Sequence, residues 1–179
     1  MKIWIVLDQV GVGVASTTPG VVKEELGGGV RLHYEPDWFD AKMEYYTPDD
    51  ILFHELVHAY RSSKGENFSK ALSEYQTAEE LLAIQMQNVY MSVRRKKKFY
   101  RSHSNPTLVT KKDAYAAVAS DAETLGAFNY FRRSDPLAVK VAGMSAPIYN
   151  SWRDADQVNS MAGPGTTPSI QRFGLPMTF

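Results

Sequence analysis

The sequence predicts an α+β fold in which a small sheet precedes a helical second half. Two stretches near the start of the chain, residues 2–7 and 30–34, have the β-branched, aromatic or alternating composition of strands. Three later stretches, 48–62, 78–98 and 111–132, carry helix-start signals or helical spacing of apolar residues. The length of 179 residues suits one domain of this kind.

The two predicted strands are separated by turn-forming sequence. Residues 2–7 form an apolar run that Asp8 ends too early for a signal-peptide core. Residues 9–20 contain several glycines and Pro19, which predicts a loop with room for one short strand. Apolar and polar side chains alternate in residues 30–34, as they do in a half-buried strand.

The first predicted helix has a strong start signal. Thr47 can cap the helix, Pro48 suits its first position, and two aspartates follow at the positive end of the helix dipole. The helix is expected to run to about Ser62, with Gly65 as its stop and a polar connection over residues 63–76.

The rest of the chain is predicted to be mainly helical. One helix is expected near residues 78–98, before Pro106 breaks the chain. Residues 111–132 are interpreted as a third helix, and Pro136 begins a shorter helical stretch that ends near Ala142.

Domain organisation and composition limit the classes of function. We expect a single domain over residues 1–160 and an extended tail, rich in glycine and proline, over residues 161–179. The 20 basic and 20 acidic residues leave no net charge, which gives no overall argument for binding nucleic acid or a membrane. No run of 18 apolar residues occurs, so no membrane span is expected. Cysteine is absent, so a bound metal needs histidine and carboxylate ligands.

The strongest chemical signal is the HExxH motif His54-Glu55-Leu56-Val57-His58 within the first predicted helix. Residues four apart lie on one helix face, so His54 and His58 can direct two imidazoles at one metal ion. Glu55 is offset from His54 by about 100°, which places its carboxylate beside the metal as a general base. Zinc lowers the pKa of a bound water to about 7, and such a base can accept its proton during attack on a carbonyl carbon.

A catalytic zinc site needs a third protein ligand and an open position. No third histidine follows His58 at a suitable spacing, so the candidates are the carboxylates of four residues: Glu66, Glu74, Glu79 and Glu80. Those on the second helix are preferred because a rigid element fixes a ligand better than a loop. Thr77 to Glu80 also fits a capping box, in which the Glu80 carboxylate would turn back to the Thr77 backbone.

The segment Ala78-Glu79-Glu80-Leu81-Leu82-Ala83 resembles the second motif of gluzincin metallopeptidases. It is most similar to clostridial neurotoxin light chains and to bacterial effector and polymorphic-toxin metallopeptidases, and His54 to Tyr60 is also similar to the effector group. The resemblance implies a zincin-like fold, with a small twisted sheet packed on the HExxH helix. It also implies that Glu80 is the third zinc ligand and that Glu79 supports the site without binding the ion, with Glu79 as the alternative ligand.

The resemblance further implies a zinc endopeptidase that acts on a protein or peptide. We expect a monomer that is secreted, or delivered into a target cell by a bacterial secretion system, and otherwise cytoplasmic. A cognate immunity protein or inhibitor is an expected partner.

Other residues are weaker candidates for the site. Hydrolysis builds negative charge on the carbonyl oxygen, and the segment Arg101-Ser102-His103 loosely matches a basic-histidine segment of the effector-like families. His103 is therefore the predicted oxyanion stabiliser. Three tyrosines are expected to be core or rim residues: Tyr100, Tyr115 and Tyr130. Strand 30–34 is the expected edge that pairs with an extended substrate, and His33 is expected to face solvent.

Two alternatives to a peptidase remain open. One is zinc hydrolysis of a non-protein amide such as a peptidoglycan crosslink. The other is a non-catalytic binding module that uses the basic run at residues 94–98, although such a run is also typical of a solvated helix C-terminus.

Overall fold

The computed structural model describes residues 2–7, 16–19, 29–34, 47–105, 107–164 and 166. The fold is α+β, as predicted. Six helices are described: α1 (Pro48–Ser62), α2 (Ala78–Val93), α3 (Lys111–Val118), α4 (Ala122–Ser134), α5 (Pro136–Ala142) and α6 (Ala155–Ser160). The predicted tail from residue 161 onward lies mostly outside the described residues.

The N-terminal sheet has three strands: β1 (Lys2–Leu7), β2 (Ser16–Pro19) and β3 (Gly29–Tyr34). Their order is β1-β3-β2, with β3 parallel to β1 and antiparallel to β2. Both strands predicted from the sequence are therefore confirmed. The expectation that residues 30–34 form a sheet edge is wrong, because β2 occupies the side of β3 that would have been free. The side chain of His33 lies outside the described part.

Two short hairpins follow along the chain. Strands β4 (Ala71–Leu72) and β5 (Gln76–Thr77) pair antiparallel just before α2. Strands β6 (Phe99–Tyr100) and β7 (Leu108–Val109) pair antiparallel between α2 and α3. The first hairpin lies in the stretch predicted as a polar connection, since two-residue strands leave too little alternation to be recognised.

Helix α1 confirms both its predicted start and its predicted stop. The Thr47 backbone N–H and hydroxyl donate to Oδ2 of Asp50 at 3.4 and 2.8 Å. At the other end, the Glu66 N–H bonds to the Arg61 carbonyl and the Gly65 N–H to the Ser62 carbonyl. Gly65 has φ = +69°, which completes a Schellman-type end that favours glycine.

Helix α2 ends at Val93, five residues before the predicted end. The basic run is consequently not the last turn of a helix. Arg94 forms an ion pair with Asp49, and Lys96 forms one with the fully buried Asp50. These two ion pairs connect the end of α2 to the acidic first turn of α1, the HExxH helix.

The prediction of a single helix over residues 111–132 is wrong, because helix α3 ends at Val118 and a separate helix, α4, begins at Ala122. Asp121 caps α4, since its carboxylate accepts hydrogen bonds from the Thr124 N–H and hydroxyl, both at 2.8 Å. Burial opposes ionisation of Asp121, but these bonds and one from Ser73 outweigh it and lower the pKa of the carboxyl group. This local capping competes with a continuous helix. The short helix predicted after Pro136 is confirmed as α5.

Helix α1 lies between the sheet and α2, which positions the HExxH motif. One face of α1 buries Ala59 against Leu32 and Tyr34 of β3. The opposite face packs on α2, whose Leu81 and Leu82 are fully buried in the main core. That core also contains large aromatic side chains from the second half: Phe99, Tyr115, Phe128, Phe131, Tyr149 and Trp152. No helix in the described ranges is both long and apolar enough to cross a bilayer.

A network around Asp154 makes part of the stability acid-sensitive. Its carboxylate accepts from Tyr115 Oη at 2.7 Å, Lys111 Nζ at 2.9 Å and Arg153 Nε at 2.7 Å. Burial opposes ionisation of Asp154, but these donors outweigh it and hold the pKa well below its usual range. The stabilisation is therefore complete above about pH 4, the pKa of an unfolded aspartate, and is lost as pH falls below it.

We expect Asp154→Asn to be less stable than the wild type in urea at pH 6, with the difference shrinking progressively below pH 4. Asp156→Asn, which removes an exposed carboxylate from α6, controls for the change in net charge. A difference that stays constant between pH 6 and pH 2.5 would contradict the prediction.

Candidate metal centre

Three predicted ligands converge between α1 and α2. Nε2 of His54 lies 3.0 Å from Nε2 of His58 and 3.1 Å from Oε2 of Glu80. Nε2 of His58 lies 3.3 Å from Oε1 of Glu80. These residues form a group that could hold a metal ion, with the donor atoms all within 4.8 Å of one another.

The start of α2 directs Glu80 into this cluster. The Glu80 N–H donates to Oγ1 of Thr77 at 3.2 Å, which caps the helix. The reciprocal half of a capping box is not used, because the Thr77 N–H donates to the Tyr75 carbonyl and the Glu80 carboxylate turns to the histidines. The Glu80 backbone N–H thus takes part in capping α2, while the Glu80 carboxylate contacts the histidines.

Gln87 orients His54 from the opposite side of its ring. The Gln87 Nε2 donates to the Asp50 carbonyl at 3.0 Å, which leaves its Oε1 facing Nδ1 of His54 at 3.2 Å. Nδ1 must then carry the proton, and Nε2 presents its lone pair to the cluster. A partner of this kind fixes the tautomer that a metal requires.

Glu79 lies beside Nδ1 of His58, as Gln87 lies beside Nδ1 of His54. Its Oε1 lies 3.6 Å from Nδ1 of His58, a charged contact that is too long for a hydrogen bond. Arg61, on the last turn of α1, donates from Nε to both oxygens of Glu79 at 2.8 and 3.0 Å. The two adjacent glutamates therefore contact opposite nitrogens of one imidazole.

The close approach of the three donor groups favours a proton or a metal ion between them. Two imidazole lone pairs and a carboxylate at 3.0–3.3 Å repel one another unless a proton or a metal ion lies between them. Burial lowers the pKa of His58, but the carboxylates of Glu79 and Glu80 outweigh burial and raise it to about 10. Burial likewise opposes ionisation of Glu80, but its contacts with His54 and His58 outweigh burial and lower its pKa well below the usual range.

The donor set fits a zinc-type ion. Two imidazole nitrogens and one carboxylate oxygen suit zinc, whereas calcium and magnesium favour oxygen ligands. Tetrahedral zinc with bonds of 2.0–2.1 Å places its ligand atoms roughly 3.3 Å apart, close to the separations of 3.0, 3.1 and 3.3 Å found here. A zinc ion held by these three donors would have a coordination position open for water or substrate.

The predicted catalytic residues lie beside the cluster. Glu55 is buried, with 8% of its surface exposed, and its charge contributes to the raised pKa of His58. Nε2 of His103 lies 3.7 Å from Oε2 of Glu80, and 40% of its side chain is exposed. The ring centroids of His103 and His54 are 6.5 Å apart. His103 thus stands at the solvent side of the cluster.

The remaining candidates occupy other positions. Glu66 and Glu74 reach arginines rather than histidines, at 3.8 Å from Arg61 and 3.9 Å from Arg101. The three tyrosines have structural surroundings, since Tyr115 is bonded to Asp154, Tyr130 packs on Phe68, and Tyr100 is buried in the core.

Sequence reasoning missed Gln87 and the role of Arg61. A signal was present for both, because Gln87 follows Glu80 by seven residues, two helical turns, and Arg61 follows His58 by three. Glutamine and arginine are frequent on helices, so this spacing identifies a partner of the site only when the packing of α1 against α2 is known.

We expect Gln87→Leu to lower zinc affinity by about 10- to 100-fold, because the proton on Nδ1 of His54 loses its acceptor. Gln85→Leu is a matched control, since Gln85 is equally buried in α2 but bonds to Tyr75 and Tyr149. Zinc titration with a competing chelator measures both. Equal losses in the two variants would contradict the prediction.

Comparison with protein-family models, with curated proteins and with solved structures found no match to this chain. The geometry of the cluster therefore carries the functional argument.

Proposed function

We propose that the protein is a zinc-dependent endopeptidase. The observation that carries this proposal is the convergence of His54, His58 and Glu80, with the buried Glu55 next to the first ligand on the same helix. Two histidines, one carboxylate, an open position and an adjacent general base are the parts that metal-assisted hydrolysis requires.

His54, His58 and Glu80 would hold the zinc ion, which supplies Lewis acidity and lowers the pKa of a water in the open position to about 7. The Glu55 carboxylate accepts the proton of the attacking water and then delivers it to the leaving amine. Its burial in the protein keeps competing water away and strengthens its electrostatic effect.

His103 is proposed to stabilise the oxyanion. It stands within 3.7 Å of the ligand carboxylate and remains accessible, so a bound substrate can reach it. Its loop is held against the β4–β5 hairpin, because the Ser104 N–H donates to the Glu74 carbonyl at 3.0 Å and Tyr75 Oη to the Arg101 carbonyl at 3.0 Å. A donor on a fixed loop costs little reorganisation when charge develops.

We propose a zincin-like arrangement and the biological setting of a secreted effector or toxin protease. The sheet packed on one face of α1 and the ligand helix packed on the other support the zincin-like arrangement. The setting is supported by the resemblance of the two motifs to effector and toxin metallopeptidases.

The contacts of the basic run weigh against a non-catalytic binding module. Arg94, although exposed, is paired with Asp49 and the half-buried Lys96 is paired with Asp50, so two of the five cations already make contacts within the protein.

The proposal is tested by incubating a proteome-derived peptide library with zinc-loaded protein, with chelator-treated protein and with Glu55→Gln. Reaction in ¹⁸O-water with mass spectrometry identifies hydrolysis, because the label enters each new C-terminus. We expect labelled cleavage products only with the zinc-loaded wild type. The peptidase proposal fails if the zinc-loaded wild type forms no labelled peptide products but releases fragments from peptidoglycan. It also fails if the wild type binds no zinc.

A further inference from the structure

Arg61 is a buried charged residue that the proposed reaction does not use. Only 1% of its side chain is exposed, although it lies one turn after His58 on α1. Its guanidinium group donates to both oxygens of Glu79 from Nε, to the Asp135 carboxylate from Nη1 and to the Glu66 carbonyl from Nη2. Its Cζ also lies 5.5 Å from the centre of the Phe131 ring.

Stability alone is a weak reason for such an arrangement. Removing two carboxylates and a guanidinium from water is costly, and packed apolar side chains often stabilise a core equally well. The position of the group is more informative. Arg61 connects three segments, the HExxH helix, the start of α2 and the start of α5, where Asp135 accepts from the N–H groups of Leu137 and Ala138 at 2.9 Å.

The contacts of Glu79 show what Arg61 controls. Both Glu79 oxygens are bound by Arg61, and Oε2 also accepts from the Phe68 N–H at 3.2 Å. The carboxylate is thereby held at the Nδ1 side of His58, while Glu80 contacts the Nε2 side. Glu79 and Glu80 have identical side chains, but the contact with Arg61 holds only Glu79 at Nδ1 of His58.

We propose that Arg61 is the positioning residue of the metal site: it holds Glu79 against Nδ1 of His58 and so leaves Glu80 as the carboxylate ligand. Asp135 anchors the far side of the guanidinium group and links the helical second half to the ligands. This inference rests on the proposed function only in requiring that the cluster binds a metal ion.

The test is a double-mutant cycle on metal affinity. Arg61→Gln and Arg61→Lys are made in the wild type and in Glu79→Gln, and Zn²⁺ and Co²⁺ are titrated into the apo proteins. Both single changes are expected to lower affinity by about 10- to 100-fold and to alter the visible spectrum of bound Co²⁺, which reports ligand geometry. In the Glu79→Gln background the additional loss is expected to stay below about twofold, because Arg61 acts through Glu79.

Two controls separate positioning from folding. Urea unfolding of each apo protein measures stability, and Arg61→Lys keeps a positive charge for both carboxylates while losing the planar fork that binds them together. Lys111→Gln breaks another partly buried ion pair, with Asp154, and is expected to change stability without changing metal affinity.

Unchanged affinity in both Arg61 variants, or losses that add to that of Glu79→Gln, would overturn this inference while leaving the peptidase proposal standing. A wild type that binds zinc and follows the predicted cycle but hydrolyses no peptide would overturn the peptidase proposal alone.

Discussion

Glu55→Gln is expected to lower kcat for peptide hydrolysis by about 10²- to 10⁴-fold while the protein stays folded and retains its zinc. Glutamine has nearly the shape of glutamate but cannot accept a proton from water at neutral pH. The metal ligands are untouched, since His54, His58 and Glu80 form the cluster without Glu55. Metal analysis and kinetics on the same preparation therefore separate catalysis from binding.

A surface glutamate supplies the matched control for this change. Glu123 has 66% of its side chain exposed, and its contact with Lys70 is a long one of 3.9 Å. Glu123→Gln removes the same charge and should leave both kcat and zinc content unchanged. Retention of more than a tenth of wild-type kcat in Glu55→Gln would mean that Glu55 is not the general base, and loss of its zinc would contradict the expectation that Glu55 is not needed for metal binding.

Glu80→Gln is expected to lower zinc affinity by more than about 100-fold, the upper range for residues that only support a ligand. Its carboxylate contacts Nε2 of both histidines, at 3.1 and 3.3 Å, and provides the negative charge among the three donors. A neutral amide in that position leaves the ion with weaker coordination.

The neighbouring glutamate makes this prediction sharp. Glu79→Gln is the same chemical change one residue earlier, and we expect a loss of only about 10- to 100-fold because Glu79 acts on Nδ1 of His58. Competition titrations with a zinc chelator measure both constants. If Glu79→Gln causes the larger loss, the assignment of the third ligand is reversed.

Much of the site could be predicted because its signals are local. The His54–His58 spacing places two imidazoles on one face of any α-helix, and Thr47 and Gly65 mark the ends of that helix within a few residues of the motif. Local capping and helix periodicity do not depend on the rest of the fold. The same holds for the β-branched and aromatic run that identified β1 and for the alternation that identified β3.

Two of the errors originate in contacts between distant residues. Helix α2 ends early where Arg94 and Lys96 meet the acidic start of α1, more than 40 residues earlier in the chain. The predicted edge strand is central because β2 pairs with it, a choice that residues 30–34 do not encode themselves. The break at Asp121 was local, but its capping signal was weaker than the apolar spacing on either side.

The sequence by itself determined an α+β chain with an HExxH helix, and it narrowed the third ligand to a few carboxylates that include two adjacent glutamates. Adjacent residues on a helix differ by about 100° in direction, so no local rule could choose between Glu79 and Glu80. Only the tertiary structure distinguishes their positions, because Arg61 and the Phe68 backbone hold Glu79 at the Nδ1 side of His58 while Glu80 lies at the Nε2 side. This difference in position depends on packing between α1 and α2, which a linear motif does not contain.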